Sequence, residues 1–185
     1  MIYYIHGANS CPATFNYFKL KLPKHEFIDV SYNCHTSIMN TLDQIAKNIG
    51  DKEIDIIGHS LGGVIGIALS NRVNVRKLVS ISSPFGGSVL ASYLRWIFPS
   101  SLLNDIRPNS PLIREVLSTK INFPVLSFIT TNGGSTLVKE PNDGVVSVAS
   151  QKALKNTTQI EISTNHFVGL LLPEVADEIE KFLNL

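Results

Sequence analysis

The sequence predicts an α/β fold, with an open, mostly parallel sheet of about six strands and helices on both faces. Short apolar runs such as Ile2-Tyr3-Tyr4-Ile5 and Ile54-Asp55-Ile56-Ile57 suit strands buried on both sides of a parallel sheet. Amphipathic helical patterns separate these runs almost throughout. The chain has 185 residues, of which 44% are hydrophobic, enough for one core and therefore one expected domain over residues 1–185.

The first strand, residues 2–5, stops at His6-Gly7, and the polar Asn9-Ser10 and then Pro12 follow. Phe15, Phe18 and Leu22 lie at helical spacing, and Pro23 ends that helix. Residues 27–32 alternate as a second strand. Ile38, Leu42, Ile45 and Ile49 form one apolar helix face closed by Gly50. The third strand, residues 54–57, runs into Gly58-His59-Ser60-Leu61-Gly62-Gly63. Beyond it Leu61, Val64, Ile65, Ala68 and Leu69 keep helical spacing, which places Ser60 at a strand-to-helix junction. Residues 78–81 and 125–129 read as the fourth and fifth strands, and residues 158–163 as a sixth at an edge. Pro173 opens the last helix, with Val175, Ile179 and Phe182 on its inner face. Residues 86–119 break the alternation. They form an apolar insertion containing Val89, Leu90, Tyr93, Leu94, Trp96, Ile97, Phe98, Leu102 and Leu103. Two readings are open for it: a lid over a pocket, or helices that simply pack on the core.

Composition excludes several function classes. Lys and Arg total 16 against 15 Asp and Glu, so no basic face for nucleic acid and no acidic tail is expected. Cys11 and Cys34 are too few for a disulfide framework and read as free thiols. No metal-ligand spacing is present, and neither a metal nor a cofactor is expected. No run reaches the ~18 apolar residues of a membrane span. The start, Met1-Ile2-Tyr3-Tyr4-Ile5-His6-Gly7, lacks the basic segment and cleavage site of a signal peptide, so the expected location is cytoplasmic.

The chemistry centres on Gly58-His59-Ser60-Leu61-Gly62. A Gly-x-Ser-x-Gly turn between strand and helix holds a serine hydroxyl clear of the backbone, and the glycines remove Cβ atoms that would clash. Such a nucleophile needs a base, an orienter for the base, and donors for the oxyanion. His166 is the one histidine after Ser60, and it lies just past the sixth strand. Asp143, in Asn142-Asp143-Gly144, follows the fifth strand and is the expected orienter, although the same tripeptide also spells a tight turn. Asp105, Glu140 and Asp55 are weaker competitors: the first lies in the insertion, the second lacks the following Gly, and the third sits inside a strand. The backbone N–H groups of Leu61 and Ala8 are the expected oxyanion donors. His6 and His59 are expected to pack and hydrogen-bond within their loops, and His25 and His35 are isolated.

Several segments in this order resemble the α/β-hydrolases of the lipase and esterase type, particularly compact bacterial triacylglycerol lipases. They are His6-Gly7, Gly58-His59-Ser60-Leu61-Gly62-Gly63, Ser83-Pro84-Phe85-Gly86-Gly87-Ser88, residues 105–111 and Asn142-Asp143-Gly144-Val145-Val146. The resemblance implies a minimal α/β-hydrolase fold with a lid-like insertion. It also implies Ser60, Asp143 and His166 as triad, Ala8 and Leu61 as oxyanion hole, and a small-molecule or lipid ester as substrate. Transient contact of residues 86–119 with a lipid surface fits the same picture. The alternatives are a thioesterase, amidase or acyltransferase using the same residues, and a non-catalytic binding module on the same fold.

Overall fold

The computed structural model describes residues 1–33, 36–94, 101–135 and 140–185. Strand β1 (Ile2–Ile5) is buried at every residue. The helix expected over residues 14–22 begins as a 3₁₀ turn (Pro12–Phe15), where Pro12 needs no N–H partner, and continues as α1 (Asn16–Lys21). After β2 (Phe27–Val30), α2 (Ile38–Ile49) buries Ile38, Leu42, Ile45 and Ile49 and ends at Gly50, whose φ is 64°. Strand β3 (Ile54–His59) leads into α3 (Leu61–Leu69) and then β4 (Val75–Ile81). The insertion carries α4 (Val89–Leu94), α5 (Ser101–Asp105) and α6 (Pro111–Ser118). Strand β5 (Val125–Thr130), the short α7 (Val148–Gln151), β6 (Thr158–Ile162), a 3₁₀ turn (Val168–Leu171) and α8 (Pro173–Leu183) complete the order.

The strands form one sheet in the order β2-β1-β3-β4-β5-β6, and every pairing is parallel. Alternate residues of each strand feed different sides. Tyr3, Ile5, Ile54, Ile56 and Leu78 join α2, α3 and α6 in one core cluster, whereas Ile2, Tyr4, Ile57, Val79 and Phe128 join α1 and α8 in the other. From β1 the chain first moves outward to β2, then returns past β1 to β3 and continues the opposite way. The reversal leaves a crevice beyond the carboxyl ends of β1 and β3, the place where open parallel sheets bind ligands. His6-Gly7 and Ser60 meet there because Ile5 pairs with Gly58.

Strand β3 runs two residues past the expected 54–57 and β4 starts three residues before the expected 78–81; two further differences, the end of β2 and the inner face of α8, have a physical reason. Strand β2 ends at Val30 rather than residue 32, because Tyr32 leaves the sheet to stack on His6 at 4.5 Å and to donate its hydroxyl to the His6 carbonyl at 2.7 Å. The inner face of α8 is Val175, Ala176, Ile179 and Leu183; Phe182 is only partly buried. A step of four residues keeps Leu183 under Ile179, and Phe182 turns to the flank, where Lys77 lies over its ring.

Helix α3 is buried on all sides, between the sheet and the helices outside it. Its entry is sterically tight. A Cβ on Gly62 would stand 1.8 Å from the Ile5 carbonyl oxygen, one on Gly58 would stand 2.5 Å from the Gly62 carbonyl carbon, and one on Gly63 would meet Ser83 Oγ at 2.1 Å. The glycines therefore set how closely α3 approaches β1 and β4.

In the insertion, Leu102, Ile106, Leu112, Ile113 and Val116 are buried in the core, whereas Val89 and Leu117 are exposed. Asp105 plays a structural part. Its Oδ2 accepts from the Ile38 N–H at 2.6 Å and from Ser37 Oγ at 3.0 Å, capping α2 from a remote segment. Trp96, Ile97, Phe98, Cys34 and His35 lie outside the described residues.

Asp105→Ala should lower stability by about 1–2 kcal/mol, seen as a lower urea midpoint, because α2 loses an anionic cap at the positive end of its dipole. Gly62→Ala should cost more than about 4 kcal/mol or prevent folding, since backbone on both sides must move; circular dichroism melts check both.

Candidate active site

Ser60 sits between β3 and α3 with φ 52° and ψ −120°, a region that residues other than glycine rarely occupy. Such strain costs on the order of 1–3 kcal/mol and persists only where neighbours enforce it. Here the Ser60 N–H donates to the Ile81 carbonyl at 2.8 Å, and the Ser60 carbonyl accepts from Gly63 N–H at 3.1 Å. The side chain borders a cavity of about 130 Å³. Gly7, Ala8 and Ser10 line it from the loop after β1, His59 and Leu61 from the turn itself, and Pro84, Ser88 and Ile106 from the segment after β4. Val145 and Val146 close it from the loop after β5, and His166 and Phe167 from the loop after β6.

Asp143 and His166 are brought together and buried, their side chains 0% and 4% exposed. His166 Nδ1 donates to Asp143 Oδ2 at 2.7 Å, and the His166 backbone N–H donates to the Asp143 carbonyl at 2.9 Å. With the proton on Nδ1, the Nε2 lone pair is the one free for another group. The tight turn spelled by Asn-Asp-Gly is also present, and it serves the carboxylate. Gly144 has φ 100°, and Asp143 Oδ1 accepts from the N–H groups of Val145 at 2.9 Å and Val146 at 2.8 Å. Burial would raise the Asp143 pKa, but the bonds from His166, Val146 and Thr130 outweigh it and hold the carboxyl below its ordinary range.

Ser60 and His166 face the same cavity, yet among the described residues no hydrogen bond leaves Ser60 Oγ for the imidazole. Bonds of this kind tighten when a substrate is bound. Leu61 is the first residue of α3, so its N–H has no intrahelical carbonyl. Among the described residues, neither it nor the Ala8 N–H donates to a protein acceptor, and both residues border the cavity.

His6 and His59 do structural work, as expected, and His25, expected to be isolated, is hydrogen-bonded as well. His6 Nδ1 bonds the Gly7 carbonyl at 2.8 Å, and its ring carries Tyr32. His25 bonds Tyr4 and the Pro23 carbonyl. His59 Nε2 donates to the His166 carbonyl at 3.0 Å, and its Nδ1 is buried with no hydrogen-bond partner among the described residues. Burial first, and the nearby His166 second, push the His59 pKa down to about 4, so the ring is neutral near pH 7. Asp55 binds Arg76 at the far end of β3, Glu140 is exposed, and Cys11 is an exposed free thiol. Among the described residues, no group of three or more His, Cys, Asp or Glu is placed to hold a metal ion, and no helix is long and apolar enough to cross a membrane.

Thr130, Gln151 and Gly133 were not singled out by sequence reasoning. Thr130 and Gln151 touch the Asp143 carboxylate from beneath, and a Cβ on Gly133 would stand 1.7 Å from the Asp143 carbonyl carbon. Gly133-Gly134 in the chain was a usable signal of close backbone approach; a threonine and a glutamine carry no comparable signal.

With this geometry in view, the architecture is the α/β-hydrolase fold. The lin2722 gene product of Listeria innocua matches with TM-score 0.69 at 15% identity, covering 98% of this chain and 92% of that one. A lipase-esterase related protein from Clostridium acetobutylicum matches with TM-score 0.65 at 19% identity, covering 98% and 93%. The mature Bacillus licheniformis lipase BlEst2 matches with TM-score 0.65 at 13% identity, covering 98% and 90%. In sequence, residues 1–84 match an uncharacterised protein family, UPF0227. No curated protein matches.

The depressed His59 pKa makes stability depend on pH. Between about 4 and 6.5 the unfolded chain binds the proton that the folded protein refuses, so stability falls as pH is lowered through that window, by at most on the order of 3 kcal/mol. Urea midpoints measured from pH 7 to pH 4 should show the decline. His59→Gln, which keeps a donor for the His166 carbonyl but does not titrate, should flatten it.

Proposed function

We propose that the protein is a serine carboxylester hydrolase that works through an acyl-enzyme on Ser60. The observation that carries this reading is the buried His166–Asp143 bond of 2.7 Å, which opens onto the same cavity as Ser60. It orients His166 with Nε2 as the base, the arrangement that serine acyl transfer requires.

In the proposed mechanism Ser60 Oγ attacks the ester carbonyl carbon while His166 Nε2 takes the hydroxyl proton. The carbonyl oxygen, now an anion, accepts from the Ala8 and Leu61 N–H groups, which are fixed before the reaction begins. Asp143 stabilises the imidazolium without accepting its proton. The carbon–oxygen bond to the alcohol then breaks, and His166 gives the proton to the leaving oxygen. Water, deprotonated in turn by His166, attacks the acyl-enzyme, releases the acid and restores Ser60.

The cavity lining contains no Lys, Arg, Asp or Glu among the described residues, and Ala8, Leu61, Ile106, Val145 and Val146 supply apolar surface. That chemistry favours an uncharged, apolar acyl group, each buried methylene adding about 0.8 kcal/mol. We take the chain as a single catalytic domain whose insertion helps to wall the cavity, a role supported by Ser88 and Ile106 in its lining.

Ser60→Ala should abolish p-nitrophenyl ester turnover and labelling by a fluorophosphonate probe while leaving the melting temperature close to that of the parent. Labelling that survives in the variant would remove Ser60 as nucleophile. A panel of oxygen esters, thioesters and amides of matched acyl length ranks the acyl compounds accepted; preference for a thioester or amide would replace the ester assignment.

A further inference from the structure

The carboxylate behind His166 is gripped by two side chains that come from different elements. Thr130 is the last residue of β5 and is fully buried; Gln151 ends α7 and is 1% exposed. Thr130 Oγ1 donates to Asp143 Oδ2 at 2.7 Å, and Gln151 Nε2 donates to the same oxygen at 3.2 Å. Gln151 also takes both main-chain groups of Thr130. Its Oε1 accepts the Thr130 N–H at 2.9 Å, and its Nε2 donates to the Thr130 carbonyl at 2.9 Å. The carboxamide thus pairs with the end of β5 as a neighbouring strand residue would, and its remaining N–H reaches the carboxylate. With its one proton on Asp143, Thr130 Oγ1 accepts from Ser82 Oγ at 2.8 Å, and Ser82 Oγ also lies 3.3 Å from the His166 carbonyl oxygen. The network therefore touches both members of the Asp143–His166 pair.

We propose that Thr130 and Gln151 are positioning residues that hold Asp143 Oδ2 opposite His166 Nδ1. The proposal rests on the hydrolase reading above and adds to it the parts that hold the base in register. The physical need is specific. The loop between β5 and α7 carries Asp143, and a carboxylate on a loop is free to rotate about two side-chain torsions. The Val145 and Val146 N–H groups fix Oδ1 only. Without donors on Oδ2, the oxygen facing His166 would be held by the imidazole alone, and the base would share its disorder. Donors from a strand end and a helix tie that oxygen to the rigid sheet, the support that a precisely placed base requires.

The test uses the full chain with Thr130→Val, which removes the hydroxyl at nearly constant shape, and Thr130→Ser, which restores it. Thr130→Val should lower kcat for a p-nitrophenyl ester by on the order of tenfold with KM within about twofold, and Thr130→Ser should recover most of the loss. Gln151→Glu, which replaces both N–H donors with oxygen beside Asp143, should be more severe. A second readout needs no turnover. In the Ser60→Ala background, the low-field proton NMR resonance of His166 Nδ1–H, identified by its loss in His166→Gln, should shift or broaden with Thr130→Val and return with Thr130→Ser. A folded Thr130→Val variant with unchanged kcat and unchanged resonance overturns the proposal. If ester turnover survives Ser60→Ala, the hydrolase reading falls, and the resonance still decides whether Thr130 and Gln151 position the Asp143–His166 pair.

Discussion

The tightest constraint in this protein is the approach of α3 to the carboxyl end of β1. The Gly62 backbone lies so near the Ile5 carbonyl that a Cβ there would come within 1.8 Å of its oxygen. That contact fixes the direction in which the chain leaves β3, and with it the positive φ of Ser60. It also fixes the distance between the Gly7-Ala8 loop and the first turn of α3, where the Ala8 and Leu61 N–H groups border one cavity. A helix start already presents unpaired N–H groups. Pressing that start against a second loop brings residues of separate segments to the wall of one cavity, and the strain at Ser60 is the conformational cost of doing so.

Electrostatics complete the other half of the cavity. Asp143 is buried in surroundings that would by themselves favour its protonated form, yet its carboxyl is held below the ordinary range by donors on both oxygens. His59, by contrast, is held in its neutral form on balance, burial outweighing the pull of the His166 carbonyl and Asp143 toward the charged form. It donates to the His166 carbonyl, and burial beside a second imidazole keeps a proton off it. Two histidines with ring centres 5.0 Å apart thus have different environments: His166 faces a carboxylate through Nδ1, while His59 meets only a carbonyl.

The elements were largely legible in the sequence because strand and helix periods are local. Residues 2–5 and 54–57 showed as buried strands, and Ile38, Leu42, Ile45 and Ile49 marked α2 to the residue. The misplacements arose where a tertiary partner pulled a residue away, as with Tyr32 stacking on His6 and Phe182 yielding the inner face of α8 to Leu183. Asp105 shows the same limit from the other side. As a residue it was only a weaker alternative to Asp143, and its capping of the α2 N-terminus depends on a contact across 67 positions of chain.

By itself the sequence determined the alternation of strands and helices, the strand-to-helix turn at Ser60, and the short set of residues able to supply a base and its orienter, since motif spacing and periodicity reside in neighbouring residues. Only the tertiary structure decided which acid reaches His166 Nδ1, because that is a matter of distance between loops from different strands. It alone revealed Thr130 and Gln151 beneath Asp143. A buried hydrogen bond between residues far apart in the chain leaves no periodic or compositional trace; it exists only once the sheet brings the ends of β4, β5 and β6 side by side.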